Sequence, residues 1–576
     1  MRMEAMDAEK AAVVLSGALG RLLQIRSRLE AGLTDKTKLE GLPIGKSSAV
    51  RAAETVYGLR KTVRDWFNFY NNYDPLFTWW MAQPYQEIDK ALADYSTFLR
   101  DTLAPAVSDA ETRGAPPAEI AAAPAPEFAE VPDLRALLAF PQDEMRNVVQ
   151  QFRIGSSRGR GGRGGPGGPG GNVQPPDKNF YTGWLKALKK LDFNRLSRAA
   201  QIDYLYLRNS IKVQIRGAEH PPLTDVAGKK DASGISGRPI GREALMLNLA
   251  EELIPYTPEQ LISLAEKQYA WCESEMRKAS RDLGCGDDWK AALEKIKETH
   301  VAPGRQPDLI RDLMFEAADY LRAHDLITVP EIERETLRME MMSPREQLYN
   351  PFFTGGEVIN VSYPTNTMTT RQKLESMRGN NPGVAHATAF HEMIPGHNMQ
   401  SYMSMRFGGS RGFGGTAFWT EGWPLYWEML LYDLGFDETP EQRVGALFWR
   451  MHRCARIVFS LKFHLGDWSP RECIDYLVDK VGHERENATA EVRRSFEGGY
   501  GPLYQAAYML GGLQLREMRK EIVDSGIMDQ KRFHDAVIQT GSMPMALLRL
   551  ALGTQKLTPN MSLEWKCFGP DPDRDR

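Results

Sequence analysis

His391-Glu392-Met393-Ile394-Pro395-Gly396-His397 is the most informative heptapeptide in this chain. It carries the His-Glu pair and second histidine of the HExxH zinc motif, with two residues inserted before that second histidine. The ordinary motif works on a regular helix because positions i and i+4 differ by about 40° in direction. Both imidazoles then face one ion, and the glutamate between them meets its water. Histidines six apart on a helix of 3.6 residues per turn would instead point about 120° away from each other. The insertion itself supplies the remedy. Pro395 has no N–H to return to the carbonyl of His391, and Gly396 reaches torsions that other residues resist. The helix is therefore expected to bulge or end there and bring His397 back towards His391.

A catalytic zinc takes three protein ligands and keeps a fourth position for water. The remote acid that fits is Glu421, in Phe418-Trp-Thr-Glu421-Gly-Trp-Pro-Leu-Tyr-Trp-Glu428. Gly408, Gly409, Gly412, Gly414 and Gly415 mark a loop before it. A second helix should follow, with Thr420 as its cap and Pro424 near enough to its start to be tolerated. Glu428 falls two turns further along the same face and is expected to support a ligand rather than bind the metal. Six of the ten histidines, His386, His391, His397, His452, His464 and His483, crowd this part of the chain. Of these, His386, His452 and His483 read as structural.

Working outward, 576 residues with 72 basic and 75 acidic side chains give a net charge of −3. That field is too weak to hold a polyanion or an anionic membrane surface. No run of about 18 uncharged apolar residues exists, so no membrane span and a soluble protein are expected. The apolar patch 11–19 is preceded by Glu4, Asp7 and Glu9 where an export signal would be basic. The sequence as written thus reads as cytoplasmic, or as periplasmic or secreted if an export signal has been removed. Cys272, Cys285, Cys454, Cys473 and Cys567 form neither a metal pair nor a disulfide framework, and read as reduced, mostly buried thiols.

Apolar residues recur at helical spacing over 49–69, 85–103, 258–283 and 308–326, so the fold class is mainly α. We expect a helical N-terminal half, 1–338, and a zinc-binding catalytic half, 339–576, in one continuous fold. The first half contains flexible Ala/Pro-rich and Gly-rich segments at 104–126 and 155–178. The run Arg158-Gly-Arg-Gly-Gly-Arg163 is similar to RGG segments, but one short copy without aromatic platforms in a slightly acidic chain reads as a solvated loop. No nucleic-acid partner is expected. Eight aromatics, Trp66, Phe67, Phe69, Tyr70, Tyr73, Phe77, Trp79 and Trp80, read as core packing, with a peptide groove as the second reading. Glu357-Val-Ile-Asn-Val-Ser-Tyr363 alternates as a strand and is a candidate edge to which an extended peptide could add. Asn360 and Tyr363 on it are substrate-binding candidates, against a plain structural hairpin.

The motif residues resemble the bacterial family called domain of unknown function 885. Its hallmark is a His-Glu-x-x-Pro-Gly-His run followed by a Glu-Gly-Trp segment, here His391 to His397 and Glu421-Gly422-Trp423. The likeness extends to Arg456-Ile-Val-Phe-Ser-Leu-Lys-Phe-His464, to Trp468-Ser-Pro-Arg-Glu-Cys-Ile-Asp-Tyr476 and to Gln505-Ala-Ala-Tyr508-Met-Leu-Gly511. Asp74-Pro-Leu-Phe-Thr-Trp-Trp80 is similar to a subfamily feature near the other end. The resemblance implies a large, helical, clefted zinc-peptidase-like fold related to the gluzincin oligopeptidases, with a small β element beside the metal-binding helix.

The chemistry expected is peptide hydrolysis by a zinc-activated water, with one zinc per chain held by His391, His397 and Glu421. Glu392 would act as general base and return the proton to the leaving amine. Oxyanion donors are sought among His464, Tyr500, Tyr504 and Tyr508, and Arg456 is a candidate for a peptide carboxylate. The substrate is then a peptide or other small amide. Competing expectations are a zinc hydrolase of a non-peptide amide or ester, and a non-catalytic helical binding protein whose histidines are structural. Substrate identity, exo- or endo-cleavage and oligomeric state are not legible at this level.

Overall fold

A computed structural model of the chain describes residues 6–35, 46–71, 74–107, 134–137, 144–157, 176–221, 226, 228–229, 231–302, 304–347, 350, 352–407 and 415–568. Tyr73, the RGG-like run 158–163, the glycine loop 408–414 and most of segments 104–126 and 155–178 lie outside the described residues. Helix accounts for 71% of the structure and strand for 1%, which makes the protein mainly α.

The chain begins with three helices, α1 (Ala8–Thr34), α2 (Lys46–Tyr70) and α3 (Pro75–Thr97), with α1 and α2 both packed on α3. Helix α3 starts where Asp74 accepts hydrogen bonds from the N–H groups of Leu76 and Phe77, with Pro75 in the first turn where its missing N–H costs nothing. The aromatic run serves this packing: Phe67 stacks on Tyr85 at 3.7 Å and Trp66 meets Phe77 edge-on at 5.3 Å. Trp79 and Trp80 are the exceptions, 81% and 41% exposed.

From Leu134 onward most of the described helices contribute to one hydrophobic core that runs to Cys567 without a break at residue 338. Arg198 joins the two halves by donating from Nη2 to the carbonyls of Leu550 and Gly553, both at 2.6 Å. In this body α4 (Pro258–Asp282) packs along the central helix α8 (Pro440–His464). Both start at a Thr/Gln capping box, Thr257 with Gln260 and Thr439 with Gln442. Cys272, Cys454, Cys473 and Cys567 are buried free thiols. No described helix is long and apolar enough to cross a membrane.

The β element is smaller than its sequence suggested. Strand β1 (Met339–Met341) pairs in parallel with β2 (Ile359–Val361). On the other side of β2, the N–H and C=O of Asn360 both bond to Thr354, at 2.8 and 3.1 Å. Both edges of these three residues are thus occupied, and the expectation of an open edge at 357–363 is corrected: the chain folds back and fills it. Tyr363 is buried, with its hydroxyl donating to the Ala302 carbonyl at 3.1 Å.

The segments that build the site follow. They are α5 (Pro382–Glu392), α6 (His397–Phe407), α7 (Ala417–Asp433), α9 (Arg485–Glu497) and α10 (Tyr504–Arg519), with α7 and α10 packed along each other. Their closest approach is at Gly422 and Gly511, where a Cβ on Gly422 would lie 2.6 Å from the Cα of Gly511. Helix α7 starts a turn earlier than expected. Thr416, not Thr420, is its cap, because Ala417, Phe418 and Trp419 extend the helix backwards, and Pro424 lies inside it.

Candidate metal centre

The helix break at Pro395-Gly396 occurs where the residues require it. Helix α5 ends at Glu392, Met393 leaves helical torsions with φ −113 and ψ −105, and α6 starts at His397. The turn between them is held by Gly396 N–H donating to Phe390 O at 3.0 Å and by the Trp423 indole donating to Pro395 O at 2.7 Å. A Cβ on Gly396 would run into the carbonyl of His391, so only glycine fits. The two histidines therefore stand at the end of one helix and the start of the next, their rings 5.1 Å apart and nearly perpendicular.

Glu421 on α7 completes the cluster. One donor atom from each of His391, His397 and Glu421 lies within 4.8 Å of the others. Glu421 Oε2 is 3.2 Å from His397 Nε2 and 3.9 Å from His391 Nε2, and it is buried without a hydrogen-bond partner among the described residues. The other nitrogens are committed elsewhere. His391 Nδ1 donates to Glu428 Oε1 at 2.5 Å, and His397 Nδ1 faces Gln400 Oε1 at 3.4 Å, while Gln400 donates to Trp419 O at 3.0 Å. Both Nε2 atoms are thereby turned to the same point as the orphaned carboxylate oxygen. Tetrahedral zinc with bonds of about 2.0–2.2 Å needs donors roughly 3.3 Å apart, and two imidazoles with one carboxylate is a donor set that zinc accepts. The residues fit the ion.

The charges within the cluster stabilise one another against burial. Burial opposes ionisation of Glu421, but His397 and His391 outweigh it and hold its carboxyl well below the usual range. Burial likewise works against a charge on His397, yet Glu421 and Glu392 push it up to about 9. Glu428 is held low against its burial by Arg453 and His391.

Beside the cluster is a cavity of about 310 Å³ lined by His391, Glu392, His397 and Glu421 together with Gly355, Arg453, Arg456, Arg494, Tyr500, Tyr504 and Tyr508. Gly355 lies so close to Glu392 that a Cβ there would be 2.7 Å from Glu392 Oε2. Tyr504 donates its hydroxyl to Glu421 Oε1. Tyr508 lies nearly parallel to the His391 ring at 6.2 Å, with the guanidinium groups of Arg453 and Arg456 over its ring at 4.6 and 4.4 Å. Burial, reinforced by Glu421, pushes the Tyr508 phenol up to about 12, and among the described residues its hydroxyl makes no hydrogen bond. Tyr500 stands at the exposed end of this wall, 4.3 Å from Tyr504 ring to ring.

The other expected residues are placed elsewhere. His464, at the end of α8, packs against Phe463 and Phe496 outside the cavity, and burial lowers it to about 4. Asn360 and Tyr363 do not line the cavity; Thr354, Gly355 and Gly356 do. Arg456 lines it but is bound through Nε to Glu491 at 2.7 Å. Three residues stay structural as expected: His386 pairs with Asp437 at 3.0 Å, and His452 with His483 at 2.8 Å. Arg453 and Arg494 were missed. Arginines at 450, 453 and 456 on an otherwise buried helix were the available signal for the first; nothing local distinguishes the second.

Comparison with known proteins returns a family model described as "Bacterial protein of unknown function (DUF885)" over residues 223–552. No curated protein matches. Among solved structures, a "putative lipoprotein from Colwellia psychrerythraea" aligns at 19% identity and TM-score 0.47, covering 66% of this chain and 70% of its own. A "putative lipoprotein of unknown function from Shewanella oneidensis" aligns at 15% identity and TM-score 0.48, covering 95% and 99%.

Proposed function

This chain belongs to DUF885, a bacterial family described as of unknown function, so its activity has to be read from the site itself, and we propose that it is a zinc-dependent hydrolase that cleaves peptides. The observation that carries the reading is the convergence of His391 Nε2, His397 Nε2 and the partnerless Glu421 Oε2, while the opposite sides of all three groups are tied to Glu428, Gln400 and Tyr504. Those three residues would hold zinc, whose contribution when bound is to lower the pKa of a water to about 7 and to polarise a carbonyl.

The protein's own groups perform the rest. Glu392, in the same cavity and one residue from His391, takes the proton of the attacking water and delivers it to the leaving nitrogen, a contribution of about 10² to 10⁴ in rate. Tyr508 carries its proton at neutral pH, as any phenol does, and donates it as a hydrogen bond to the oxyanion that forms on the substrate. The cavity volume, about 310 Å³, is at the small end of ligand sites and favours short peptides.

The test is zinc per chain by elemental analysis, combined with a chelator-sensitive digest of short peptides. Glu392→Gln should keep one zinc and lose turnover about 10²-fold or more, whereas Glu421→Ala should lose the metal. Wild-type protein that holds no stoichiometric zinc, or digests peptides equally well with chelator present, overturns the proposal.

A further inference from the structure

Three arginines line the cavity, but only two carboxylates stand behind them. Arg456 donates to Glu491 at 2.7 Å, and Arg453 reaches Glu428, already shared with His391, at 3.5 Å. Arg494 on α9 has the weakest hold on these acids. It shares Glu491 with Arg456 through a long ion pair, Nη1 to Oε2 at 4.0 Å and past hydrogen-bond range, its Nε is buried without a partner, and among the described residues its guanidinium makes no hydrogen bond. Its side chain is 13% exposed and helps to line the cavity. A guanidinium withdrawn from water this far calls for an anion.

From this imbalance we infer that Arg494 anchors the free C-terminal carboxylate of a short peptide, so that cleavage falls within the last few residues of the substrate. The inference rests on the peptidase reading above and adds the end from which the peptide is recognised. The guanidinium fork matches a carboxylate bidentately. Its position is at the same wall as the metal-ligand candidates: Arg494 lies over the Tyr500 ring at 5.1 Å, Tyr500 is 4.3 Å from Tyr504, Tyr504 bonds Glu421, and all four line one cavity. Among the described residues no carboxylate lining the cavity is left over for a free N-terminal amine. Of the acids lining the cavity, Glu421 is a metal ligand and Glu392 the base, and Glu428 and Glu491 behind it are already paired.

The test uses two tetrapeptides identical except for a C-terminal acid or carboxamide, with zinc-loaded wild type, Arg494→Gln and Arg494→Lys. Wild type should cleave the acid at least ten-fold more efficiently than the amide. Arg494→Gln should raise KM for the acid roughly ten- to hundred-fold, the loss of one charge-assisted contact, with kcat less affected and a much smaller change in KM for the amide. Arg494→Lys should recover part of the preference and guards against a folding defect. A second arm titrates both peptides calorimetrically into Glu392→Gln protein, with and without Arg494→Gln. Equal cleavage of acid and amide by wild type sinks the inference and leaves the peptidase reading standing. Failure to cleave either peptide removes that reading, while acid-selective binding lost with Arg494→Gln still supports the anchor. Absence of acid-selective binding overturns it.

Discussion

His391 Nδ1 lies 2.5 Å from Glu428 Oε1, and Glu428 stands two turns beyond Glu421 on the same helix. One helix thus supplies both a proposed metal ligand, Glu421, and the group that would fix the tautomer of another, with Nε2 of His391 left to face the ion. Glu428→Gln keeps an acceptor but removes the charge, and should weaken zinc binding about ten-fold, with Glu428→Ala approaching 100-fold. Saturating zinc should still restore one ion per chain in both. Affinity measured by competition with a chromogenic chelator decides it, and wild-type affinity in Glu428→Ala would remove this residue from the metal site.

The two inner tyrosines should separate kinetically. Tyr504 is spent on Glu421 Oε1, so Tyr504→Phe should weaken zinc retention with a smaller effect on turnover once zinc is saturating. Tyr508 points a proton-bearing hydroxyl into the cavity, so Tyr508→Phe should leave zinc content alone and lower kcat roughly 10²- to 10³-fold. Steady-state kinetics at saturating zinc, paired with metal analysis, would expose a reversed assignment.

What the sequence disclosed about this site was local, and what it hid was tertiary. Pro395 and Gly396 interrupt their own helix by properties of their own backbones, so the break before His397 could be read directly. Glu428 could be placed behind Glu421 because seven residues on a helix return to nearly the same face. His464 fails the same arithmetic: eight residues past Arg456 it is about 80° round and about 12 Å further along, away from the cavity. Tyr504 on α10 bonding Glu421 on α7, and Tyr363 turned to the Ala302 carbonyl rather than lining the cavity, depend on segments distant in the chain, for which no spacing rule exists.

The crossing of α7 and α10 should be intolerant of a single methyl. Gly422 adjoins Glu421, and a Cβ there would lie 2.6 Å from the Cα of Gly511, so the helices would have to part. That movement separates Glu421 from Tyr504, which sits on the opposing helix. Gly422→Ala is expected to cost about 1–3 kcal/mol by overpacking and to weaken zinc binding as well. Denaturation midpoints and zinc content measured together test it. A variant with wild-type values for both would show that the close approach is not needed.

Glu333 gives the pH dependence with the clearest sign. It is 1% exposed, in the short helix Glu331–Thr336 ahead of β1, and neither carboxylate oxygen has a hydrogen-bond partner among the described residues. Burial alone pushes its pKa up to about 8 from an ordinary 4.5. Between those values the folded protein keeps a proton that the unfolded chain has released, so stability is fully present below the unfolded value and falls as pH rises, by about 1.4 kcal/mol per pH unit, levelling off above the folded value. Glu333→Gln has no proton to lose. Its denaturation midpoint should therefore change less than that of the wild type between pH 5 and pH 8, with the two curves diverging steadily towards the alkaline end. Parallel curves across that range would mean that Glu333 ionises in the folded protein without penalty.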